Sequence, residues 1–233
     1  CLGMIAAGID FAEVGEGPPV VYLHGIGGGA ASFRPQLDRI AGHRNIAWNM
    51  PGYGASSSET LSFAGLSARL SAFLSALGLQ RVHLVGQSIG GMVALDHAVR
   101  FPEQVTSLSL IGTTPSFGGR DDSFKDAFLQ ARLAPLDAGQ IMAEMAAESA
   151  PKIVGPGADA TVIDEVAQIM AQVPEATWRD ILKCLVTFNR RDDLDWITQP
   201  CCLIAGAHDQ NAPARTMEKM AAKLPNAEYH LIE

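Results

Sequence analysis

Short apolar runs alternate with helical patterns through the first 114 residues of the chain. Continuous apolar runs bounded by glycine, proline or polar residues indicate buried strands, and they lie at 19–23, 45–48, 81–85 and 105–111. Between them, 61–77 and 92–99 carry apolar residues at helical spacing. The stretch 2–17 predicts two short strands around Gly8. Strand and helix alternating in this way predict an α/β fold with a mostly parallel, doubly wound sheet.

A region without strand patterns interrupts this alternation after the sixth predicted strand. From 115 to 196 the sequence predicts helices alone, and these are 121–132, 138–149, 161–172 and 175–189. The strand pattern resumes at 201–205 and returns at 228–232. We therefore divide the chain into a sheet-containing core, 1–114 and 197–233, and an inserted helical segment, 115–196.

Two features of the inserted segment carry further expectations. Pro135 and Pro151 are expected to separate its helices, because proline inside a helix removes a backbone hydrogen bond. The charged run 189–194 predicts a solvated hinge with local ion pairs. Several large apolar side chains could line a pocket, although ordinary helix packing is the favoured role for each; they are Phe128, Met142, Met145, Met170, Trp178 and Phe188.

Composition narrows the class of protein. The 233 residues carry a formal net charge of −8 and a pI near 5.2, which argues against a nucleic-acid-binding protein. The 4 cysteines form no C-x-x-C motif, so neither a disulfide framework nor a zinc site is predicted. No apolar run is long enough for a membrane span. A cytoplasmic protein without cofactor or metal is expected, and a homodimer is left open.

The strongest chemical motif lies between the predicted strand 81–85 and the predicted helix 92–99. Ser88 has Gly86 and Gly90 two residues to either side, which matches G-x-S-x-G. One interpretation is a simple glycine and serine turn. The favoured one is a turn so tight that a Cβ at either glycine would collide with backbone, with the Ser88 hydroxyl exposed at its apex. This strand, turn and helix resemble the nucleophile elbow of the α/β-hydrolase family.

A glycine-rich loop after the strand 19–23 has two interpretations. Gly25-x-Gly27-x-x-Ala30 is similar to a dinucleotide-binding fingerprint, but that motif needs an acidic residue near the end of the next strand, where Asn49 stands. The loop also resembles the His-Gly-x-Gly-Gly oxyanion loop of α/β-hydrolases. We favour the second interpretation, since Ser88 follows in the matching context. The resemblance then implies that the amides of Ile26 and Ile89 form an oxyanion hole, while His24 braces the loop.

Two further stretches extend the resemblance over nearly the whole chain. The segment 49–56 is similar to the family's D-x-P-G-x-G-x-S stretch, with Asn49 in place of aspartate. The family places its catalytic acid on the loop after the strand 201–205, which implies that Asp209 is the acid. The helical segment 115–196 then corresponds to the family's cap. The resemblance also implies a histidine base in the loop after the last strand. His230 lies within that strand, so we expect the base just beyond Glu233. An edited or partial chain is therefore expected.

The resemblance implies a serine hydrolase that cleaves a small carboxylic ester or lactone through an acyl-enzyme. Members similar to enol-lactonases and small esterases fit the short cap best. Two alternatives stay open. Carbon–carbon bond hydrolases share the same triad and architecture, and a homologue without the histidine would be a non-catalytic protein that binds a small ligand.

Overall fold

The computed structural model describes residues 3–117 and 122–233, and it contains one eight-stranded sheet. The strand order is β1-β2-β4-β3-β5-β6-β7-β8. The strands are β1 Met4–Ala6, β2 Ile9–Val14, β3 Pro19–Leu23, β4 Arg44–Trp48, β5 Val82–Gln87, β6 Val105–Ile111, β7 Cys201–Gly206 and β8 Ala227–Ile232. β1 and β2 pair antiparallel, as do β2 and β4, while every later pairing is parallel. The predicted mostly parallel sheet is confirmed.

The strand register brings the chemically interesting loops to one edge of the sheet. Leu23 pairs with Gly86, Gln87 with Ile111, and Ile111 with Ile204. Because these are carboxyl ends of parallel neighbours, the loops that follow β3, β5, β6 and β7 lie side by side. Ligands of open α/β sheets bind at this edge, where the strand order reverses.

Helices cover both faces of the sheet. The core helices are α1 Arg34–Arg39, α2 Phe63–Ala76, α3 Ile89–Arg100 and α8 Ala214–Ala221. On one face, Tyr22 of β3 and Ala47 of β4 pack with Phe33 and Leu37. On the other face, α2 and α3 contribute to a larger buried cluster with Leu84 of β5. Both faces of the central strands are therefore apolar, as their continuous hydrophobic runs predicted.

The described residues between β6 and β7 form four α-helices: α4 Ser123–Asp137, α5 Met142–Ile153, α6 Ala160–Ala171 and α7 Glu175–Leu185. The helical character predicted for this region is confirmed, but two boundaries were wrong. Pro135 lies inside α4 and Pro151 inside α5, each near the carboxyl end of its helix. A proline in the last turn loses one backbone hydrogen bond without ending the helix at once. The predicted start of the first helix, at 121, falls outside the described residues.

The two chain segments that enter and leave this helical insertion are joined to each other. Ser116 forms an antiparallel bridge with Asn189, and the Phe117 amide donates to the Phe188 carbonyl at 2.8 Å. The Arg190 amide donates to the Pro115 carbonyl, also at 2.8 Å. The insertion therefore leaves and rejoins the core at a single paired neck.

The prediction of a solvated hinge at 189–194 was wrong for Arg190. Its Nε and Nη2 donate to Oδ1 of Asp96 on α3 at 2.8 and 2.7 Å, and Asp96 is only 2% exposed. Ser67 and Arg100 donate to Oδ2 of the same carboxylate at 2.6 and 2.7 Å. A buried charge needs such partners, so the neck is anchored to the helix that follows Ser88.

None of the helices in the described ranges has the length and hydropathy needed to cross a bilayer.

Candidate active site

Ser88 occupies a strained turn between β5 and α3. Its backbone has φ 53° and ψ −121°, and Ala7 is the other non-glycine residue with positive φ among the described residues. Such a conformation costs on the order of 1–3 kcal/mol and persists only where surrounding contacts enforce it. The side chain is half-buried, and its Oγ makes no hydrogen bond with any described residue. The turn thus presents a hydroxyl that no described protein group engages.

The flanking glycines are required by close backbone contacts. A Cβ on Gly86 would collide with the Gly90 carbonyl, and a Cβ on Gly90 would collide with the Leu23 carbonyl. The second contact joins the start of α3 to the end of β3. These collisions show why G-x-S-x-G spacing and the tight turn occur together.

Two backbone amides beside the turn have no internal partner. The amide of Ile89 begins α3, and that of Ile26 lies in the glycine loop after β3. Neither donates a hydrogen bond to another group in the described part of the chain. Unpaired buried amides are rare in folded proteins, and Ile89 is fully buried. Donors of this kind are suited to an oxygen atom of a bound substrate.

Tyr53 and His24 hold the glycine loop in place. The Tyr53 hydroxyl donates to the Ile26 carbonyl at 2.7 Å, and its ring packs edge-on to His24 with centroids 4.6 Å apart. The Met50 amide donates to His24 Nε2 at 3.0 Å, and Nδ1 lies 2.8 Å from the Gly25 carbonyl. Since Nε2 accepts, the ring proton is on Nδ1 and donates to Gly25. The prediction that His24 braces the loop is confirmed.

Asn49 also serves the loop. Its Oδ1 accepts from the Ala30 amide at 2.8 Å, and its Nδ2 donates to Oδ2 of Asp10 at 2.8 Å. Both ends of the side-chain amide are therefore occupied by protein groups. Asn49 is not available to hold a ribose, which removes the remaining support for the dinucleotide interpretation.

Asp209 lies on the loop after β7. Its Oδ1 accepts from the amides of Asn211 and Ala212 at 2.8 and 2.9 Å. Its Oδ2 accepts no hydrogen bond from the described residues and faces Gly112, whose Cβ position would be 3.1 Å away. One oxygen thus fixes the carboxylate and the other is left for an N–H donor.

No described histidine forms a hydrogen bond with Ser88 or with Asp209. His83 Nδ1 lies 2.7 Å from the Ser107 hydroxyl on β6. His97 is buried in α3 against Phe101. His230 lies within β8, and its Nε2 is 3.7 Å from Glu228. The structure therefore brings together the candidate nucleophile, acid and amides without a ring that joins them.

The helical insertion lies over this edge of the sheet. Met170 of α6 is buried against the glycine loop, and its terminal methyl would be 2.6 Å from a Cβ at Gly27. A cavity of about 640 Å³ lies beside Asp209, between the segment that joins α5 to α6 and the β7 exit loop. Its lining includes Pro151, Val154, Ile163 and His208. Space for a small ligand thus exists beside Asp209, although the lining of this cavity does not include Ser88, Ile26 or Ile89.

Sequence reasoning missed two residues of this site, Tyr53 and Thr113. Thr113 is buried, and its hydroxyl donates to the Ser88 carbonyl at 2.7 Å. A polar residue two positions after a predicted strand, at the edge where the loops meet, was the available signal for Thr113. Tyr53 gave no such signal, because its partner lies 27 positions earlier in the chain.

Two buried histidines predict a loss of stability in mild acid. Burial lowers the pKa of both His24 and His97 to about 4. Between the unfolded value of about 6.5 and pH 4 the unfolded chain binds protons that the folded chain does not, so the unfolding free energy falls as pH falls. Each ring should contribute a loss of about 2 kcal/mol between pH 7.5 and pH 5.

The His97→Leu variant measures that loss by urea denaturation at the two pH values. Neither ring nitrogen of His97 makes a hydrogen bond of good geometry, although the Ser67 backbone and the Gln104 side chain lie near enough to raise its pKa slightly against the effect of burial. Leucine should therefore cost little stability at pH 7.5. The difference in stability between pH 7.5 and pH 5 should shrink by about 2 kcal/mol. His230→Gln, which alters an exposed ring, should leave that difference unchanged. An unaltered pH dependence in His97→Leu would contradict the prediction.

Within 3–117 and 122–233, no three His, Cys, Asp or Glu side chains converge in a way that could hold a metal ion.

Comparison with known proteins gives consistent matches. The family model described as alpha/beta hydrolase fold matches residues 18–233. The protein from Variovorax paradoxus (strain S110) named "Putative carbamate hydrolase RutD" is 31% identical over 228 residues, which cover 93% of this chain and 84% of that protein. The 2-hydroxy-6-oxo-2,4-heptadienoate hydrolase of Pseudomonas putida is 39% identical over 118 residues, 47% of this chain and 43% of that enzyme.

Solved structures show the same fold. The enol-lactonase from Burkholderia xenovorans LB400 superposes with a TM-score of 0.87 over 97% of this chain and 88% of that one, at 16% sequence identity. At this level of identity, the similarity extends to the fold alone.

Proposed function

The chain belongs to the α/β-hydrolase fold family of hydrolases, and on that premise we propose that it cleaves a small carboxylic ester or lactone through an acyl-enzyme. Ser88 Oγ attacks the acyl carbon while a histidine takes its proton. The amides of Ile26 and Ile89 bind the oxygen on which negative charge develops. The histidine then gives the proton to the leaving alcohol oxygen. Water, activated by the same histidine, releases the acid and regenerates Ser88.

A single observation carries this proposal. A serine held at φ 53° has no described hydrogen-bond partner for its hydroxyl, and the amides of Ile26 and Ile89, at the same edge of the sheet, donate to no described protein group. A strained backbone and unpaired amide donors both lower the stability of the fold, and such features cluster at functional sites. A tetrahedral oxyanion would bind to these amides, because each donor then gains a charged hydrogen-bond partner.

The proposal requires a histidine that the described residues do not supply. Ile232 at the end of β8 pairs with Gly206, and the Ala207 amide donates to the Ile232 carbonyl at 2.8 Å. The carboxyl end of β8 therefore lies beside the loop that carries Asp209. A histidine following β8 would enter next to the free Oδ2, and we propose that the base is supplied there.

We further propose that the insertion 115–196 acts as a cap over the site. Met170 already covers the glycine loop, and α5 and α6 border the cavity beside Asp209. A cover of this kind excludes water and strengthens the hydrogen bonds to the oxyanion.

The test is to trap the acyl-enzyme on the full-length protein. Brief reaction with p-nitrophenyl acetate, followed by acid quenching and peptide mass spectrometry, should place an acetyl group on Ser88. A fluorophosphonate probe should label the same serine stoichiometrically. Labelling of Ser56, Ser57 or Ser58 instead, or the absence of any label together with no ester hydrolysis, would overturn the proposal.

Carbon–carbon bond cleavage is the second candidate, favoured by the 39% identity to the heptadienoate hydrolase over 118 residues. The same serine and amides could serve a ketone carbonyl, so the geometry does not separate the two reactions. Steady-state kinetics do so: kcat/KM should be higher for small lactones and esters than for a 2-hydroxy-6-oxo-dienoate. The reverse order would favour the second candidate, whereas binding of these compounds without turnover would indicate a non-catalytic protein.

A further inference from the structure

Three consecutive residues at the end of β6 lie between Ser88, the proposed nucleophile, and Asp209, the proposed acid. Ile111 is the last residue of β6, and Gly112 and Thr113 begin the loop that follows. The Ser88 amide donates to the Ile111 carbonyl at 2.9 Å. The Thr113 hydroxyl donates to the Ser88 carbonyl at 2.7 Å. Both backbone polar groups of the strained serine thus have a partner in this one segment, and the Ser88 carbonyl also accepts from the amides of Gly91 and Met92 at 2.9 and 3.2 Å.

Thr113 is fixed by its own packing. It is 1% exposed, and its Cβ, Cγ2 and Oγ1 each lie 2.8 Å from the Cβ position of Gly91. Any side chain at position 91 would push Thr113 away from the Ser88 carbonyl. This contact explains the glycine after Gly90, which the G-x-S-x-G motif itself does not require.

Gly112 borders the proposed acid. Its φ of 49° lies in the left-handed region, and a Cβ at this position would be 3.1 Å from Oδ2 of Asp209. Its amide donates to the Ile204 carbonyl of β7 at 3.0 Å. The segment therefore hydrogen-bonds to the Ser88 backbone through Ile111 and Thr113. At Gly112, the absence of a side chain leaves room for Oδ2 of Asp209.

We propose that Ile111-Gly112-Thr113 sets the position of the nucleophile relative to the acid, with Thr113 as a positioning residue for Ser88. This inference rests on the proposed serine mechanism. The Thr113 hydroxyl is the one side-chain group, among the described residues, that hydrogen-bonds to the Ser88 backbone. Its loss should let the strained turn relax and move Oγ away from the proposed oxyanion donors, while the cavity beside Asp209, whose lining does not include Thr113, is unchanged.

Thr113→Val tests this role, because valine keeps the shape and removes the hydroxyl. We expect kcat with p-nitrophenyl acetate to fall about tenfold, the size expected for one hydrogen bond, with KM unchanged. Thr113→Ser retains the donor and should stay within about twofold of the wild-type protein. Thr114→Val is the matched control, because the Thr114 hydroxyl donates to the Ser116 carbonyl and not to the turn.

Gly112→Ala tests the second half of the segment. The added Cβ should displace Oδ2 of Asp209 and weaken its support of the imidazolium, so the acidic limb of the kcat pH profile should move to lower pH. Gly78→Ala carries the same left-handed penalty, with φ 70°, but has no atom within 4 Å of its Cβ position. That control should lose stability without any shift in the pH profile.

The rate of fluorophosphonate labelling at Ser88 separates this inference from the proposed function. Labelling of the wild-type protein supports the serine mechanism, and about tenfold slower labelling of Thr113→Val than of Thr113→Ser then supports the positioning role. Equal labelling rates and equal kcat in these two variants would overturn the positioning role alone. A wild-type protein that labels nowhere would overturn both.

Discussion

Replacing Ser88 by alanine is expected to lower kcat for p-nitrophenyl esters and lactones by at least about 10³-fold. Alanine removes the attacking oxygen, and the described residues around the turn offer no second hydroxyl at its apex. The proposed oxyanion donors persist, so substrate binding should change little. Comparison of kcat and KM in full-length wild-type and variant protein measures the effect.

The control for this prediction is Ser58→Ala. Ser58 is an exposed loop serine that makes no hydrogen bond with the described residues, so its loss should leave kcat within about twofold. Circular dichroism and thermal unfolding should be nearly unchanged in both variants, because alanine at position 88 is strained to the same degree as serine. Equal rates for wild type and Ser88→Ala would exclude the serine mechanism, whichever substrate is used.

Local patterns made much of this fold predictable from the sequence. The G-x-S-x-G motif directly follows the strand 81–85, and the glycine loop directly follows the strand 19–23. Both motifs are short enough to be recognised from the backbone sterics of glycine alone. The family resemblance drawn from these motifs is confirmed by the match over residues 18–233. The roles assigned to Ile26, Ile89, Ser88 and Asp209 stay predictions, since geometry places them without measuring a reaction.

Contacts between distant parts of the chain were not predictable in this way. Arg190 looked like part of a solvated charged run, yet its partner Asp96 lies 94 positions earlier and is buried. The strand before Thr113 likewise gives no indication of its neighbour, and only the pairing of β5 with β6 brings Thr113 to Ser88. A single sequence contains no direct signal for such pairs, because they depend on which strands become neighbours.

Helix boundaries in the insertion failed for a related reason. A prediction from local propensity ends a helix at every proline. The free-energy cost of a proline, however, depends on its position in the helix and on the packing around it. Pro135 and Pro151 sit near the carboxyl ends of α4 and α5, where packing against the neighbouring helices outweighs one lost bond. The described part of the insertion nevertheless has the four α-helices that were predicted, because their apolar spacing does not depend on these boundaries.

Replacing Asp209 by asparagine should be nearly as damaging as the loss of the nucleophile. The asparagine oxygen can still accept from the Asn211 and Ala212 amides, at the 2.8 and 2.9 Å positions of Oδ1, so the loop should keep its shape. The amide nitrogen then replaces Oδ2 and presents donors where the histidine N–H needs an acceptor. The histidine is left in the wrong tautomer and its cation is no longer stabilised, so kcat should fall about 10³–10⁴-fold with little change in thermal stability.

Asp192→Asn is the matched control for the acid, because Asp192 is exposed, makes no ion pair with a described residue and lies on the segment that leaves the insertion. Its kcat should match that of the wild-type protein. Fluorophosphonate labelling of Ser88 should slow in Asp209→Asn and not in Asp192→Asn, since only the first change disables the base. Full-length Asp209→Asn with kcat within tenfold of wild type would show that another carboxylate orients the histidine. In that case the free Oδ2 beside Gly112 would need a different explanation, and the loops after β5 and β7 would no longer form one catalytic unit.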